Sequence, residues 1–377
     1  MDNILIFGDI CPEGNHRELF DKGNIKEFFG EVGRNVEKAE FVIGNLEAPI
    51  INQKNPIKKC GPVLSMAEND LVELKNIGFH AVSLANNHIF DHGKTGLFNT
   101  IENLKKNKIL YLGAGKEKEE VHEPLIIEVA NKRVAILSFA EQEFNVSVDG
   151  NMGANIFDSY TSLLEINCVK SQVDYVVVLY HGGIEYYEYP SPELQKKCRA
   201  MCDMGADLVI CQHSHCIGTW EKYKDKKILY GQGNAIFGYR ENNESWNTGL
   251  LVNLKIQENI VELIPIKATS KGISLLKDEE KKKVICEIEK RGEKVNDIVF
   301  LENNWKKFTE DKSALYMAMV LGKSRVFNKI NRILHNSLLK VLLTDEKIRT
   351  CKNLVRCPAH REVLVTILNN WIKDDVR

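Results

Sequence analysis

The sequence predicts an α/β fold, with sheet covered by helices on both faces, followed by a helical C-terminal appendage. Three observations carry this. Short β-branched runs alternate with amphipathic segments as far as about residue 270. Five of those runs end in Asp, Asn, Glu or His. Beyond Ser270 the strand-like runs stop and the charge balance reverses.

The runs Ile4–Phe7, Phe41–Ile43, Ala81–Leu84, Val134–Phe139, Tyr175–Leu179 and Leu208–Ile210 are short and apolar, as buried strands are. Leu71–Ile77, Thr95–Asn107 and Glu193–Met204 have helical texture between them. Ile228–Tyr230, Leu250–Leu254 and Ile260–Ile264 read as further strands, expected to form a second sheet of hairpins. Past Ser270, Phe327, Ile330, Leu334, Leu338 and Val341 recur at helical spacing within Ser324–Leu343, and Leu354–Trp371 reads the same way. The expected division is an α/β domain over 1–270 and a helical extension over 271–377. The apolar stripe of the extension is expected to be core or docking surface rather than a membrane face.

With 44% hydrophobic and 27% charged residues, the 377-residue chain has globular composition, which excludes disordered and coiled-coil classes. No apolar run approaches the ~18 residues of a membrane span. The start, MDNILIFGD, lacks the basic opening of a secretory leader. Ten cysteines without a repeating framework suit a reducing compartment, so a cytoplasmic location is expected. Residues 271–377 hold 23 Lys and Arg against 15 Asp and Glu, an excess of eight positive charges. Residues 1–270 hold 28 against 37, an excess of nine negative charges. The acidic part would repel a polyanion, so no nucleic-acid partner is expected. The basic part permits an anionic partner, although a solvated helical surface is the simpler reading.

The strand ends carry the chemistry. Ile4–Phe7 leads into Gly8-Asp9, Phe41–Ile43 into Gly44-Asn45-Leu46-Glu47, and Ala81–Leu84 into Asn86-Asn87-His88. Tyr175–Leu179 leads into Tyr180-His181, and Leu208–Ile210 into Gln212-His213-Ser214-His215. In an open α/β sheet, ligands bind beyond the carboxyl ends of the strands. One rim would therefore gather carboxylates, amides and imidazoles. That mixed donor set suits Mn, Fe or Zn better than Mg or Ca. Its size favours two ions about 4 Å apart sharing a carboxylate.

The segments GD (8–9), GNLE (44–47), NNHIFDHG (86–93), YHGGIEY (180–186), QHSH (212–215) and YGQGNAIF (230–237), in this order, resemble the CapA-type capsule or poly-γ-glutamate synthesis proteins, relatives of the calcineurin-like metallophosphoesterases. The resemblance covers roughly residues 1–240. It implies a layered β-sandwich flanked by helices, with one ion on Asp9 and His215 and a second on Asn87, His181 and His213. A bridging ligand would come from segment 44–47, where Asn45 and Glu47 are the candidates, and His88 would act on the substrate. Two positions depart from the phosphoesterase pattern. Cys11 stands where a His is usual, and reads as a buried thiol more readily than as a thiolate ligand. Asn45 stands where a bridging Asp is usual, and Glu47 can supply that carboxylate.

Glu185 either orients an imidazole or is an exposed loop carboxylate. Asp91 either supports the site or caps the helix beginning near Thr95. Tyr186, Tyr187 and Tyr189 either line a groove or pack at the surface. The resemblance implies a metal-dependent hydrolase acting on a phosphorylated or cell-envelope polymer-related substrate, with one or two divalent ions. The second reading is a non-catalytic accessory subunit of a polymer synthesis or export machine. A partner from that machinery would meet the C-terminal helices.

Overall fold

The computed structural model describes residues 2–147, 151–322, 325–335 and 337–371. Its strands in chain order are β1 (Asn3–Ile10), β2 (Phe41–Leu46), β3 (Ala81–Ser83), β4 (Leu110–Leu112), β5 (Ala114–Gly115), β6 (Leu125–Val129), β7 (Lys132–Ala140) and β8 (Gly153–Ala154). They continue as β9 (Tyr175–His181), β10 (Leu208–Gln212), β11 (Trp220–Tyr223), β12 (Lys226–Leu229), β13 (Asn234–Ile236), β14 (Thr248–Lys255), β15 (Ile260–Thr269) and β16 (Gly272–Leu275). One sheet has the order β16-β15-β14-β1-β2-β3-β4, with β13 also paired to β1. The other runs β11-β12-β10-β9-β7-β6. β5 and β8 form a separate two-stranded ladder.

Side-chain alternation explains how the sheets stack. Ile4 and Ile6 of β1 share one core with Ile136 of β7, Val177 and Leu179 of β9, and Ile210 of β10. Leu5 and Phe7 point the other way, into a core with Phe28, Phe29, Leu71, Leu74, Leu97 and Ile101 from the covering helices. On the second sheet, Val176, Val178 and Tyr180 pack on Ile166, Cys198, Met201 and Cys202 of the helices Thr161–Lys170 and Pro192–Asp203. Because successive residues of a strand face opposite sides, strands buried on both sides must be apolar throughout. The result is four layers: helices, sheet, sheet, helices.

The strands Leu250–Leu254 and Ile260–Ile264 do not build a separate hairpin sheet with Ile228–Tyr230. β14, β15 and β16 are antiparallel hairpins added to β1 of the first sheet, whereas β12 lies parallel to β10 in the second. Gly8 is required at the centre. A Cβ there would lie 2.3 Å from the Gly233 carbonyl oxygen, where β1 and the segment just before β13 approach closely.

The expected boundary at residue 270 falls inside a sheet. Compact units divide at Leu301, giving Met1–Leu301 and Glu302–Arg377. β16 pairs with β15, and Ile288 of the helix Asp278–Lys294 enters the inter-sheet core with Val284 and Ile285 beside it. That helix is so charged that three apolar residues on one face were its only sign of docking. In the second unit, the stretch read as one helix is two, Arg325–Ile333 and Ser337–Leu342, interrupted where His335 takes φ +48°. Ser324 lies outside the described residues. Ile330, Leu334 and Val341 are exposed there. No helix among the described residues is long and apolar enough to cross a membrane.

A chain ending after Leu301 should unfold in one cooperative transition. A chain ending after Ser270 strips Ile273, Leu276, Ile288 and Val295 from the core. Each such side chain contributes roughly 1.5–3 kcal/mol. Its urea midpoint should fall well below that of the longer chain; equal midpoints would contradict this boundary.

Candidate metal centre

Both sheets direct the carboxyl ends of their parallel strands to the same rim. Asp9 lies near the end of β1, and Asn45 near the end of β2 with Glu47 just beyond it. Asn86, Asn87 and His88 follow β3, His181 ends β9, and His213 and His215 follow β10. All nine are buried. His213 and His215 take φ +86° and +51°, so the loop after β10 turns back on itself and presents both rings inward. Left-handed conformations at non-glycine residues are uncommon and cluster at functional sites.

Among the described residues, two groups each bring their ligand atoms within 4.8 Å of one another: Glu47, His181 and His213, and Asp9, Glu47 and His215. Glu47 belongs to both. Its Oε1 lies 3.5 Å from His181 Nε2 and 4.0 Å from His215 Nε2. Both Glu47 oxygens are buried without a hydrogen-bond partner among the described residues, as is His213 Nδ1. Burial, then the neighbouring Asp9, drives the Glu47 carboxyl well above the ordinary carboxylate range. Burial also keeps His181 neutral, reinforced by His213 and His215, and brings His215 down to about 4. Neutral imidazoles around an unpartnered carboxylate are what a divalent cation requires. The residues fit a metal.

The surrounding amides fix these groups. Asn45 Nδ2 donates to Asp9 Oδ1 (2.8 Å) and lies 3.1 Å from His181 Nδ1, while its Oδ1 accepts from Asn86 Nδ2 at 3.1 Å. Asn45 is therefore occupied with orienting its neighbours, whereas the Glu47 oxygens are not engaged by it. His215 Nδ1 meets Asn234 Oδ1 at 2.8 Å, which leaves Nε2 on the side of Glu47. Asn87 Oδ1 lies 3.0 Å from His181 Nε2, and its Nδ2 donates to Glu143 Oε2 at 3.4 Å.

His88 Nδ1 lies 2.6 Å from Asp91 Oδ2. The same carboxylate takes the Leu64 backbone N–H at 2.7 Å and, on Oδ1, the Lys59 ammonium at 2.6 Å. Asp91 thus supports His88 and caps no helix; the following helix begins at Gly93 with His92 as its cap residue. His88 lines a cavity of about 350 Å³ together with Asn87, Glu143, His215 and Glu185. Glu185 is exposed on that cavity and among the described residues makes no hydrogen bond to an imidazole; the amides that meet His181 and His215 are Asn45 and Asn234. Tyr186 lines the cavity, whereas Tyr187 is buried and Tyr189 packs on Phe300. Cys11 is fully buried in the helix-side core, and burial raises its thiol pKa.

Asn234, Glu143 and Lys59 were not singled out from the sequence. Asn234 sits inside the YGQGNAIF segment and could have been read from it. Glu143 and Lys59 reach the site from loops without a motif.

The profile described as "Bacterial capsule synthesis protein PGA_cap" matches residues 3–239, more than half of the chain. The chain belongs to this family. It is 29% identical over 277 residues to "Capsule biosynthesis protein CapA" of Bacillus anthracis, covering 70% of this chain and 66% of that protein. To "PGA biosynthesis protein CapA" of Bacillus subtilis it is 28% identical over 244 residues, covering 63% and 64%. The matches thus span just under two thirds of these curated relatives. Among solved structures, the 5'-nucleotidase from Candida albicans aligns with TM-score 0.43 at 11% identity, over 76% of this chain and 58% of that one.

Replacing His213 and His215 together by Ala should remove bound transition metal, measured by elemental analysis, with the circular dichroism unchanged. Undiminished metal would exclude the assignment. The buried histidines also set a pH dependence. His181 and His215 take up protons near pH 6.5 in the unfolded chain but not in the fold. Metal-free protein should lose stability as pH falls below about 6.5, at up to about 1.4 kcal/mol per pH unit per group. For His215 the loss ends near pH 4. The raised Glu47 pKa acts in the opposite sense, so the slope is cleanest in Glu47→Gln. An unchanged urea midpoint between pH 7 and pH 5 in that variant would contradict the burial argument.

Proposed function

We propose that this PGA_cap protein is a metal-dependent, phosphoesterase-like hydrolase of capsule or cell-envelope polymer synthesis. One observation supports the reading above others: Glu47, buried and unpartnered, belongs to both ligand groups at a rim that opens on a cavity lined by His88. Asp9, Glu47 and His215 would hold one divalent ion, and Glu47, His181 and His213, with Asn87 beside them, a second. Mn, Fe or Zn suits these donors. Such an ion, when bound, supplies Lewis-acid charge to the reacting oxygen.

The protein's own groups do the rest. Asp91 fixes the His88 ring through Nδ1, and His88 lines the cavity; as an imidazolium held by that carboxylate, it would give its Nε2 proton to a leaving oxygen and remain as the Nδ1–H imidazole. Lys59, with 2% of its side chain exposed, keeps the Asp91 carboxylate paired and its geometry fixed. Asn234, by accepting from His215 Nδ1, keeps the Nε2 lone pair of that ring toward Glu47, and Asn45 holds the His181 ring in place at Nδ1.

The second reading, an accessory subunit that retains an ion without turnover, draws on Asn45, a neutral residue where the family resemblance places a bridging carboxylate. Relatives at 26% identity carry the description "Probable polyglutamine synthesis accessory protein" in Mycobacterium tuberculosis.

The two readings separate on His88. With Mn²⁺-loaded protein and p-nitrophenyl phosphate or its bis-ester as probe, His88→Ala should lower turnover by about 10²–10⁴-fold, the range for loss of a general acid. Metal content should stay unchanged. No hydrolysis of either ester by metal-loaded wild type would favour the accessory reading.

A further inference from the structure

The cavity above the centre is lined by three carboxylates, Glu13, Glu143 and Glu185, and by two cations, Lys59 and Arg240. Lys59 is committed to Asp91 at 2.6 Å. Arg240 makes no ion pair among the described residues. Its guanidinium carbon lies 3.1 Å from the centroid of the Trp246 ring, and its charge acts on the Tyr186 hydroxyl. Trp246 in turn lies 4.9 Å, centroid to centroid, from the ring of His215. An unpaired arginine thus stands one aromatic ring away from a candidate metal ligand.

The segment carrying Arg240 is built to hold it there. Arg240 N donates to Asn247 Oδ1 at 2.9 Å, and Asn247 Nδ2 returns a bond to Arg240 O at 2.6 Å. Trp246 Nε1 donates to Gly238 O at 3.1 Å, and Gly238, at φ +76°, makes the turn. With one face of the guanidinium stacked on the indole and the Tyr186 hydroxyl close enough to accept from it, the rest of its N–H edge remains for a ligand. That edge matches the two oxygens of a carboxylate or phosphate.

We propose that the Arg240–Trp246 corner is an oxyanion-binding subsite, which takes an anionic group carried by the substrate beside its reacting bond. The carboxylates on the remaining wall repel such a group, so the corner also sets the direction in which a substrate enters. This rests on the metal-centre reading for what the neighbouring site does, but not for whether the corner binds an anion.

The test is calorimetric titration of the full chain, with and without Mn²⁺, using glutarate, inorganic phosphate and the neutral glutaramide. Arg240→Gln should weaken glutarate at least tenfold if the subsite takes carboxylates, or phosphate at least tenfold in the metal-free protein if it takes phosphates. Glutaramide should be indifferent to the substitution. Arg240→Lys, which keeps the charge but loses the planar fork, should recover only part of the affinity. Equal binding of both anions by wild type and Arg240→Gln overturns the proposal, as does an equal loss for glutaramide. Elemental analysis of the same samples keeps the two questions apart. A protein that takes no metal but shows Arg240-dependent binding loses the hydrolase reading and retains the subsite; one that takes metal without such binding does the reverse.

Discussion

The Glu47 carboxyl lies fully buried with no hydrogen-bond partner on either oxygen among the described residues, and a charge in that position costs several kcal/mol unless a cation meets it. Its place follows from topology. β2 lies next to β1 in the first sheet, and the second sheet stacks on the other side, so the residue beyond β2 emerges between the strand ends of both. Imidazoles from β9 and from the loop after β10 approach it from the second sheet, Asp9 from the first. Both sheets must keep their register for the donors to converge. The Ser83 and Ser138 hydroxyls, 2.6 Å apart, join β3 to β7 across the sandwich near this rim.

A shell of amides holds the convergence. Asn86 Nδ2 reaches the Leu46 carbonyl at 2.8 Å and Asn45 Oδ1 at 3.1 Å. Asn145 Nδ2 bonds the Asn86 carbonyl at 3.0 Å. Gln212 Nε2 meets Gln232 Oε1 at 3.0 Å, beneath the histidine loop. A carboxamide both donates and accepts, so it can satisfy a backbone group and orient a ligand at once. This gives Asn45 a physical role in its own right. A carboxylate there would add charge beside Asp9, whereas the amide donates to Asp9.

The strand ends made much of the site readable in advance, because the polar residues that follow buried parallel strands must collect on one rim. Asp9, Glu47, Asn87, His88, His181, His213 and His215 all reach it. What escaped the sequence depended on side-chain direction or on distant loops. Whether Asn45 offers its oxygen to an ion or its nitrogen to Asp9 is a rotamer question. Lys59 and Glu143 arrive through tertiary packing that no spacing encodes. The α/β alternation was equally plain. The edge was not: Asp278–Lys294 has charge at nearly every exposed position, and only Val284, Ile285 and Ile288 mark the face that closes the inter-sheet core. The hairpins after residue 248 looked like a separate sheet because local pairing is visible in sequence, whereas the long-range pairing of β14 with β1 is not.

The central claim is that Glu47 is buried in order to meet a cation, and one measurement addresses it directly: the change in melting temperature on adding Mn²⁺ to metal-free wild type and to Glu47→Gln. The account predicts a clear rise for the wild type. For the variant it predicts a higher starting melting temperature, because no carboxyl has to give up its charge to be buried, and little further rise with metal. A wild-type protein indifferent to Mn²⁺ and to the other divalent ions these donors suit, or a variant that gains as much from metal as the wild type does, would contradict it.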